Sequence, residues 1–443
     1  MIPSSRLIAF AALLVPLGFI PALAPEFNMF GVVLVSVLFV VTSLDLILSR
    51  KREVAYQLSA PDLVRMTVGQ PAEIPLQLKG GGRKGARLTT ALGLPSEFRS
   101  EQPELSFSVP VENKSYTVIW HTVPQIRGTF QVSVMVLVAH SALGLWEIRA
   151  HHSLAIEIRV YPDLMHGNGR LSSLFLQLAR AGSKVRRQVG QGREFEKLRD
   201  FVPGDALDRI HWKATAKRNK PMSKEYQVER TQEVYVLVDS SRLSRIPVAV
   251  SDQSTENLFE IYIKSALVTS LVAGQQGDNF GLCTFNSRVK TFLRAKGGKN
   301  HFNACREQLY ILEPEPVSPD YRELVTFLGH KLRKRALLFI LTNLDDPVLA
   351  EEFTTCMELL NRRHLVVVMS VNPTFAKPLF NDEEVNGIDD LYRNLAGHLQ
   401  DQRLRTLSKQ LRKHGVRLYR PEAGKLTLKV IDQYMTIKER QQL

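Results

Sequence analysis

The chain has 443 residues, 44% hydrophobic and 23% charged, enough apolar content to bury two or three cores and too much to leave it wholly disordered. Its three cysteines, Cys283, Cys305 and Cys356, are spaced too widely for a disulfide framework or a zinc knuckle and read as buried free thiols, which fits a reducing cytosol. The formal charge of +14 is unusual: a surface of that sign meets nucleic acid, anionic lipid or an acidic protein, and charge alone does not choose.

Residues 1–52 hold two apolar runs, 7–25 and 29–48, each of the roughly 20 residues a transmembrane helix needs. Arg6 precedes the first and Arg50, Lys51 and Arg52 follow the second, while the link between them carries Glu26 and no base. The positive-inside rule then predicts an N-terminal transmembrane helical hairpin with both ends, and everything after residue 52, in the cytoplasm. A signal peptide cut after Ala22-Leu23-Ala24 is the rival; Pro25 at the cut and a second span directly behind it weigh against that.

Over residues 53–165 the pattern changes to short alternating runs such as AEIPLQLK, SYTVIWHTV, GTFQVSVMVLVAH and SLAIEIRVYP, broken by Gly, Pro and Ser. This predicts a β-sandwich of immunoglobulin-like build. The glycine-rich GGGRKG at 80–85 lacks the helix and Lys-Ser/Thr of a phosphate loop and is read as a hairpin tip. Trp146, in SALGLWE, is read as the plug of a strand-ending turn.

Residues 166–191 read as a helical, basic connector, with Leu171, Leu174, Phe175 and Leu178 at helical spacing. Between His166 and Arg230 there are 15 Lys and Arg against 7 Asp and Glu, so over half of the excess charge sits here. Within that window the segment 192–230 mixes charge with Phe195, Leu198, Phe201, Ile210, Trp212 and Tyr226, too many large apolar groups to leave in water. A packed element with paired ions is expected, its Pro203-Gly204-Asp205 turn capping a helix from Trp212 to Lys217 through Asp205, and the whole is read as the junction between the two soluble domains. His211 beside Asp205 is the single acid–base candidate; one histidine in an ionic cluster is more often structural.

From Glu233 onward, β-rich runs (EVYVLVDSS, DNFGLCTF, RALLFILTNL, HLVVVMSVN) alternate with helical stretches. Such alternation predicts a doubly wound α/β domain with a parallel sheet covered on both faces, whose ligands sit beyond the carboxyl ends of the strands. That points to Asp239–Ser241, Thr284–Ser287 and Thr342–Asp346. The helical run beginning at Ile388 is read as a solvated helix packed on the sheet.

The run GxEFxxLRxFxPGDxxDxIxWKxxAK, with Gly192, Glu194, Phe195, Leu198, Arg199, Pro203, Gly204, Asp205, Ile210, Trp212 and Lys213 in the matching places, resembles the signature of the bacterial family catalogued as domain of unknown function 58. The resemblance implies a von Willebrand A-like domain over 192–443, anchoring in the bacterial inner membrane, and a MoxR-type AAA+ ATPase as partner. It also implies a metal-ion-dependent site of DxSxS type. Here Asp239 and Ser241 match, Leu243 replaces the second serine, Lys299 or Asn300 stands where a threonine belongs, and Asn343, followed by Asp345 and Asp346, replaces the acidic residue of the fourth strand. With so many oxygen ligands missing, no magnesium ion and no other cofactor is expected, and Asp239, Ser241, Asn343 and Asp345 are read as partner-docking positions.

The functional expectation is a membrane-anchored cytoplasmic scaffold or adaptor that docks the ATPase in a chaperone-like or assembly role, without catalytic residues of its own. P-loop, GxSxG and Cys-His patterns are absent from the sequence. The alternatives are a basic surface for anionic lipid or nucleic acid, and an enzyme using Asp205 and His211.

Overall fold

The computed structural model describes residues 2–17, 28–50, 57–79, 87–100, 102–108, 115–141, 143–164, 188–190, 194–202, 206–228, 231–251, 254–378 and 387–440. The chain divides into two compact units, Met1–Asp163 and Leu164–Leu443.

In the first unit two sheets form a sandwich. One runs Ile2–Pro3, Trp146–Tyr161, Gly128–His140, Arg87–Leu92, Glu104–Ser108, with Leu63–Thr67 pairing parallel to Trp146–Tyr161; the other runs Gln57–Ser59, Ala72–Lys79, Ser115–Pro124, Phe98–Arg99. Period-two alternation sets the core: strand Ala72–Lys79 buries Ile74, Leu76 and Leu78, which pack with Trp120, Val132, Met135, Ile156 and Ile158.

The two apolar runs at the chain start do not form the transmembrane hairpin expected of them. Among the described residues no helix is long and apolar enough to cross a membrane, which also overturns the multi-pass inner-membrane placement and the integral, two-pass membrane partnership. The first run is helical over Ser5–Leu17, about 20 Å at 1.5 Å per residue against a hydrocarbon core of about 30 Å. The second, Asn28–Arg50, is tied at Thr42 and Asp45 to the turn that follows strand Gly128–His140. Asp45, fully buried, accepts from Ser141 Oγ at 2.5 Å and from the Leu143 amide at 3.0 Å, and Trp146 Nε1 donates to the Thr42 carbonyl at 3.1 Å. The turn at 141–146 also holds Ser4, whose Oγ donates to Gly144 O at 2.7 Å.

The second unit is built on a six-stranded sheet: β1 (Glu233–Asp239), β2 (Asn279–Phe285), β3 (Val289–Lys296), β4 (Leu337–Leu341), β5 (Leu365–Met369) and β6 (Arg417–Tyr419), in the order β3-β2-β1-β4-β5-β6. All neighbours are parallel except β3, which turns back on β2. Continuous apolar strands bury both faces. One face packs on α1 (Leu258–Gln275), α2 (Lys299–Leu309) and α6 (Leu426–Glu439), the other on α3 (Tyr321–Lys331), α4 (Pro347–Asn361) and α5 (Ile388–Lys413). The cysteines are buried and free, burial pushing the Cys356 thiol up to about 11 and that of Cys305 up to about 12.

The signature segment forms a separate three-stranded antiparallel sheet, Gln188–Gly190, Met222–Val228, Glu194–Asp200, with a short helix Trp212–Arg218. The remainder of the connector at 166–187, the GGGRKG loop, and Gly192, Pro203, Gly204 and Asp205 lie outside the described residues.

Candidate functional site

In a sheet ordered 3-2-1-4-5-6 the strand order switches between β1 and β4, and the carboxyl edge at that switch point is where folds of this kind offer a ligand crevice. β1 ends there on Asp239, and Thr342 directly follows β4. Asp239 is fully buried, its Oδ1 accepting from the Ser241 amide at 2.8 Å and its Oδ2 from the Thr342 hydroxyl at 2.6 Å. With its own hydrogen on Asp239, Thr342 Oγ1 is left to accept from Tyr321 OH at 3.2 Å. Burial raises the Asp239 carboxyl above the usual carboxylate range, and the bonds from Ser241 and Thr342 oppose that rise only in part. Burial, reinforced by the Asp239 charge, pushes the Tyr321 phenol well above its ordinary value, so it remains a donor.

Loops around this carboxylate are tied to one another. Ser241 Oγ accepts from the Leu243 amide at 3.3 Å and starts a 3-10 turn, and Ser240 Oγ donates to Phe285 O at 3.1 Å. Arg242 reaches Ser318 Oγ at 3.1 Å and Asp346 Oδ2 at 3.0 Å. Asp346 also caps α4 through the Val348 and Leu349 amides; burial alone would raise its carboxyl, but the Leu349 amide and Arg242 outweigh it and hold it below the usual range. Asn343 Oδ1 accepts from the Asp345 amide at 3.1 Å, and Asp345 Oδ1, raised by burial, accepts from Gln400 Nε2 at 3.2 Å. On the β2 side Asn286 and Lys290 both hold Glu315, at 3.0 and 2.8 Å.

Asp239, Ser241, Asn343 and Asp345 therefore share one edge. Lys299 and Asn300 do not join them: β3 runs antiparallel to β2, with Lys296 opposite Phe280, so the Gly297–Phe302 stretch lies at the amino edge of the sheet. The 310–320 loop takes that place instead, Glu315 N bonding Ser240 O and Arg242 N bonding Val317 O. Both Asp239 oxygens already face donors, Asn343 offers an amide, and Asp345 turns to Gln400, so these residues do not present the oxygen shell magnesium takes. Among the described residues no group of three or more His, Cys, Asp or Glu could hold a metal ion.

In the signature segment, Leu198 and Arg199 lie on the strand Glu194–Asp200 with Glu194 and Phe195, and Ile210, buried, bridges to Ser223. The helix Trp212–Arg218 is capped by His211, whose Nδ1 accepts from the Ala214 amide at 3.1 Å. That bond gives the histidine a structural place. Trp212, expected inside, is 69% exposed, and Lys213 is exposed beside it. Ile210 and Met222 supply the buried apolar positions in this part of the segment, leaving the first residue of a seven-residue helix to face water. Thr342 stands in the strand-end stretch expected from the sequence, while Tyr321, Arg242, Glu315 and Gln400 complete the carboxyl edge and only tertiary pairing identifies them.

Comparison with known proteins finds relatives whose own roles are open. Uncharacterized proteins of Mycobacterium tuberculosis and Mycobacterium bovis are each 21% identical over 161 residues, 36% of this chain and 49% of theirs, so the chain spans about half the length of the curated relatives it matches. Among solved structures, an uncharacterized membrane spanning protein from Vibrio fischeri aligns with 16% identity over 47% of this chain and 100% of its own, at a TM-score of 0.18. The YadV chaperone aligns with 14% identity over 28% of this chain and 59% of its own, at 0.17; at such scores neither bears on fold or function. Residues 197–386 match the profile of the family described as "Protein of unknown function DUF58", so that stretch of the chain is a domain of this family.

Proposed function

We propose that the second unit is a docking module that presents the carboxyl edge of its sheet to a protein partner, and that it does so without chemistry of its own. The observation that carries this reading is the state of Asp239: at the place where such a sheet offers its crevice, the carboxylate is sealed and satisfied, while Arg242 and Val348 on the rim are exposed. A buried, fully bonded acid serves to hold loops in one conformation, which lowers the ordering cost of binding. The family resemblance supplies the partner class, a MoxR-type AAA+ ATPase, and with it a chaperone-like or assembly role.

The test is binding of that ATPase to the full chain, measured by co-elution and titration with and without nucleotide. Arg242→Glu combined with Val348→Asp is expected to weaken binding by about tenfold or more, since truncating central contacts typically costs over 1 kcal/mol each. Undiminished affinity in that variant, or no association with either nucleotide state, would sink the proposal.

A further inference from the structure

We infer that the signature segment is a contact site for an anionic lipid bilayer surface, separate from the carboxyl edge of the parallel sheet. Trp212 is 69% exposed and Leu207, in the turn just before it, is 73% exposed. Large apolar side chains this open are unusual when they sit together, and here they stand within one short unit, a 3-10 turn at Leu207–Arg209 and the helix Trp212–Arg218. The same helix carries Lys213, Lys217 and Arg218, and Lys220 follows it, all exposed. No ion pair with any of the four is found among the described residues, and the exposed acid of this turn and helix is Asp208.

The chemistry of the patch selects its occupant. A single-stranded nucleic acid needs successive aromatic platforms, and this unit offers one; Leu207 has no π-face to give a base. A short unit that exposes both large apolar side chains and several basic ones matches the headgroup region of a membrane instead. There an indole sits at the boundary between acyl chains and water, and each nearby Lys or Arg is attracted by the negative surface potential. Neither signal holds a protein on a bilayer alone, and together they give reversible attachment. No membrane-crossing segment is required.

Tryptophan fluorescence reads this site directly. Of the three tryptophans, Trp120 is 1% exposed, Trp146 is half-buried and donates to Thr42, and Trp212, at 69%, is the most open to a quencher. The full chain is mixed with vesicles of phosphatidylcholine alone, or of phosphatidylcholine with about one-third phosphatidylglycerol, each carrying a brominated acyl chain; the signal assigned to the site is the quenching lost in Trp212→Phe. Quenching is expected with the anionic vesicles and not the neutral ones, and is expected to fade as salt rises toward molar. Lys213→Glu with Lys217→Glu should weaken it by more than about tenfold at unchanged melting temperature, because each basic residue near the surface contributes about 1 kcal/mol. The apolar N-terminal helices are untouched in these variants, so any association they cause stays constant across the comparison.

Equal quenching by neutral vesicles, no effect of the double charge reversal, or no Trp212 quenching at all would each overturn the inference. Quenching of Trp212 by polyuridine or by an acidic peptide, with none from the anionic vesicles, would overturn it in favour of that class of partner. Docking of the ATPase is scored with Arg242 and Val348, so the two readings fail independently.

Discussion

Replacing Thr342 by valine removes one hydroxyl and keeps the shape of the side chain. In the native molecule that hydroxyl donates to Asp239 Oδ2 at 2.6 Å and accepts from Tyr321 OH at 3.2 Å, with all three residues fully buried. Losing a hydrogen bond to a buried charge costs about 1.5–3 kcal/mol, and leaving the Tyr321 hydroxyl without its acceptor adds about 1 kcal/mol. The sum, about 3 kcal/mol, is about a hundredfold in an opening equilibrium. Hydrogen–deuterium exchange of the β1 and β4 amides, Val236–Val238 and Ile340–Leu341, is the assay, since these strands pair across the switch point.

The pH dependence carries a sign that can be checked separately. Burial raises the Asp239 carboxyl in the folded state, so the native state binds that proton more tightly than the unfolded chain does. Its contribution to stability is therefore fully present at low pH and declines as pH rises from the ordinary carboxylate value through the raised one. Thr342→Val removes a bond that favours the charged form, so the defect is expected to be largest at neutral pH and to shrink on acidification. Exchange within twofold of the wild type at neutral pH, or a defect that grows in acid, would refute the account of Asp239 as a charge held by its neighbours.

Three further outcomes follow from particular contacts. His364 is 3% exposed, neither ring nitrogen has a hydrogen-bond partner among the described residues, and burial together with Arg363 and Arg335 holds it below the ordinary histidine range. Its share of stability is present above the ordinary histidine pKa and is lost as pH falls toward the depressed one, so His364→Leu is expected to flatten the melting-temperature profile on the acid side of about pH 6.5. A Cβ on Gly281 would lie 2.2 Å from Cε1 of Tyr235, whose ring stacks on Phe292 and whose hydroxyl accepts from Ala295 N. Gly281→Ala is accordingly expected to lower stability by about 1–3 kcal/mol in urea titrations, as overpacking does. Leu76→Ala, in the sandwich core at 0% exposure, is expected to cost about 2–5 kcal/mol by the same measurement.

The carboxyl-edge residues differ in how far the chain announces them. Asp239 and Ser241 close a β-rich run, and Asn343 and Asp345 follow another, so strand periodicity alone places them at strand ends. That they meet depends on β1 and β4 being neighbours, a crossover that local pattern does not encode. The expected place of Lys299 fails for the same reason: Val289–Lys296 looks like any other strand, and its antiparallel return moves the next loop to the far edge. Thr342 lies in the expected strand-end stretch, but no spacing signature marks its bond to Tyr321, 21 residues away. Trp212 shows the limit of composition, since a large aromatic among apolar neighbours reads as core until Ile210 and Met222 are seen to fill that role.

The apolar run 29–48 illustrates how one polar side chain changes the reading of many apolar ones. Hydropathy sums over the run and treats Asp45 as a single unfavourable position. In the folded unit that carboxylate is 0% exposed and is met by Ser141 Oγ and the Leu143 amide, while the Thr42 carbonyl accepts from Trp146. A carboxylate with two donors inside protein needs no bilayer defect, and the helix is tied at Thr42 and Asp45 to the turn that supplies them. Upstream of it, Asn28 to Val41 spans about 21 Å of helix at 1.5 Å per residue, less than the roughly 30 Å of a hydrocarbon core. Asp45→Ala should release this contact: the amides of Leu143 and Trp146 are expected to exchange at least about tenfold faster, in line with about 1.5–3 kcal/mol for a hydrogen bond to a charged group. Unchanged exchange at both amides would mean that the helix is held by its apolar face alone and that Asp45 does not anchor it.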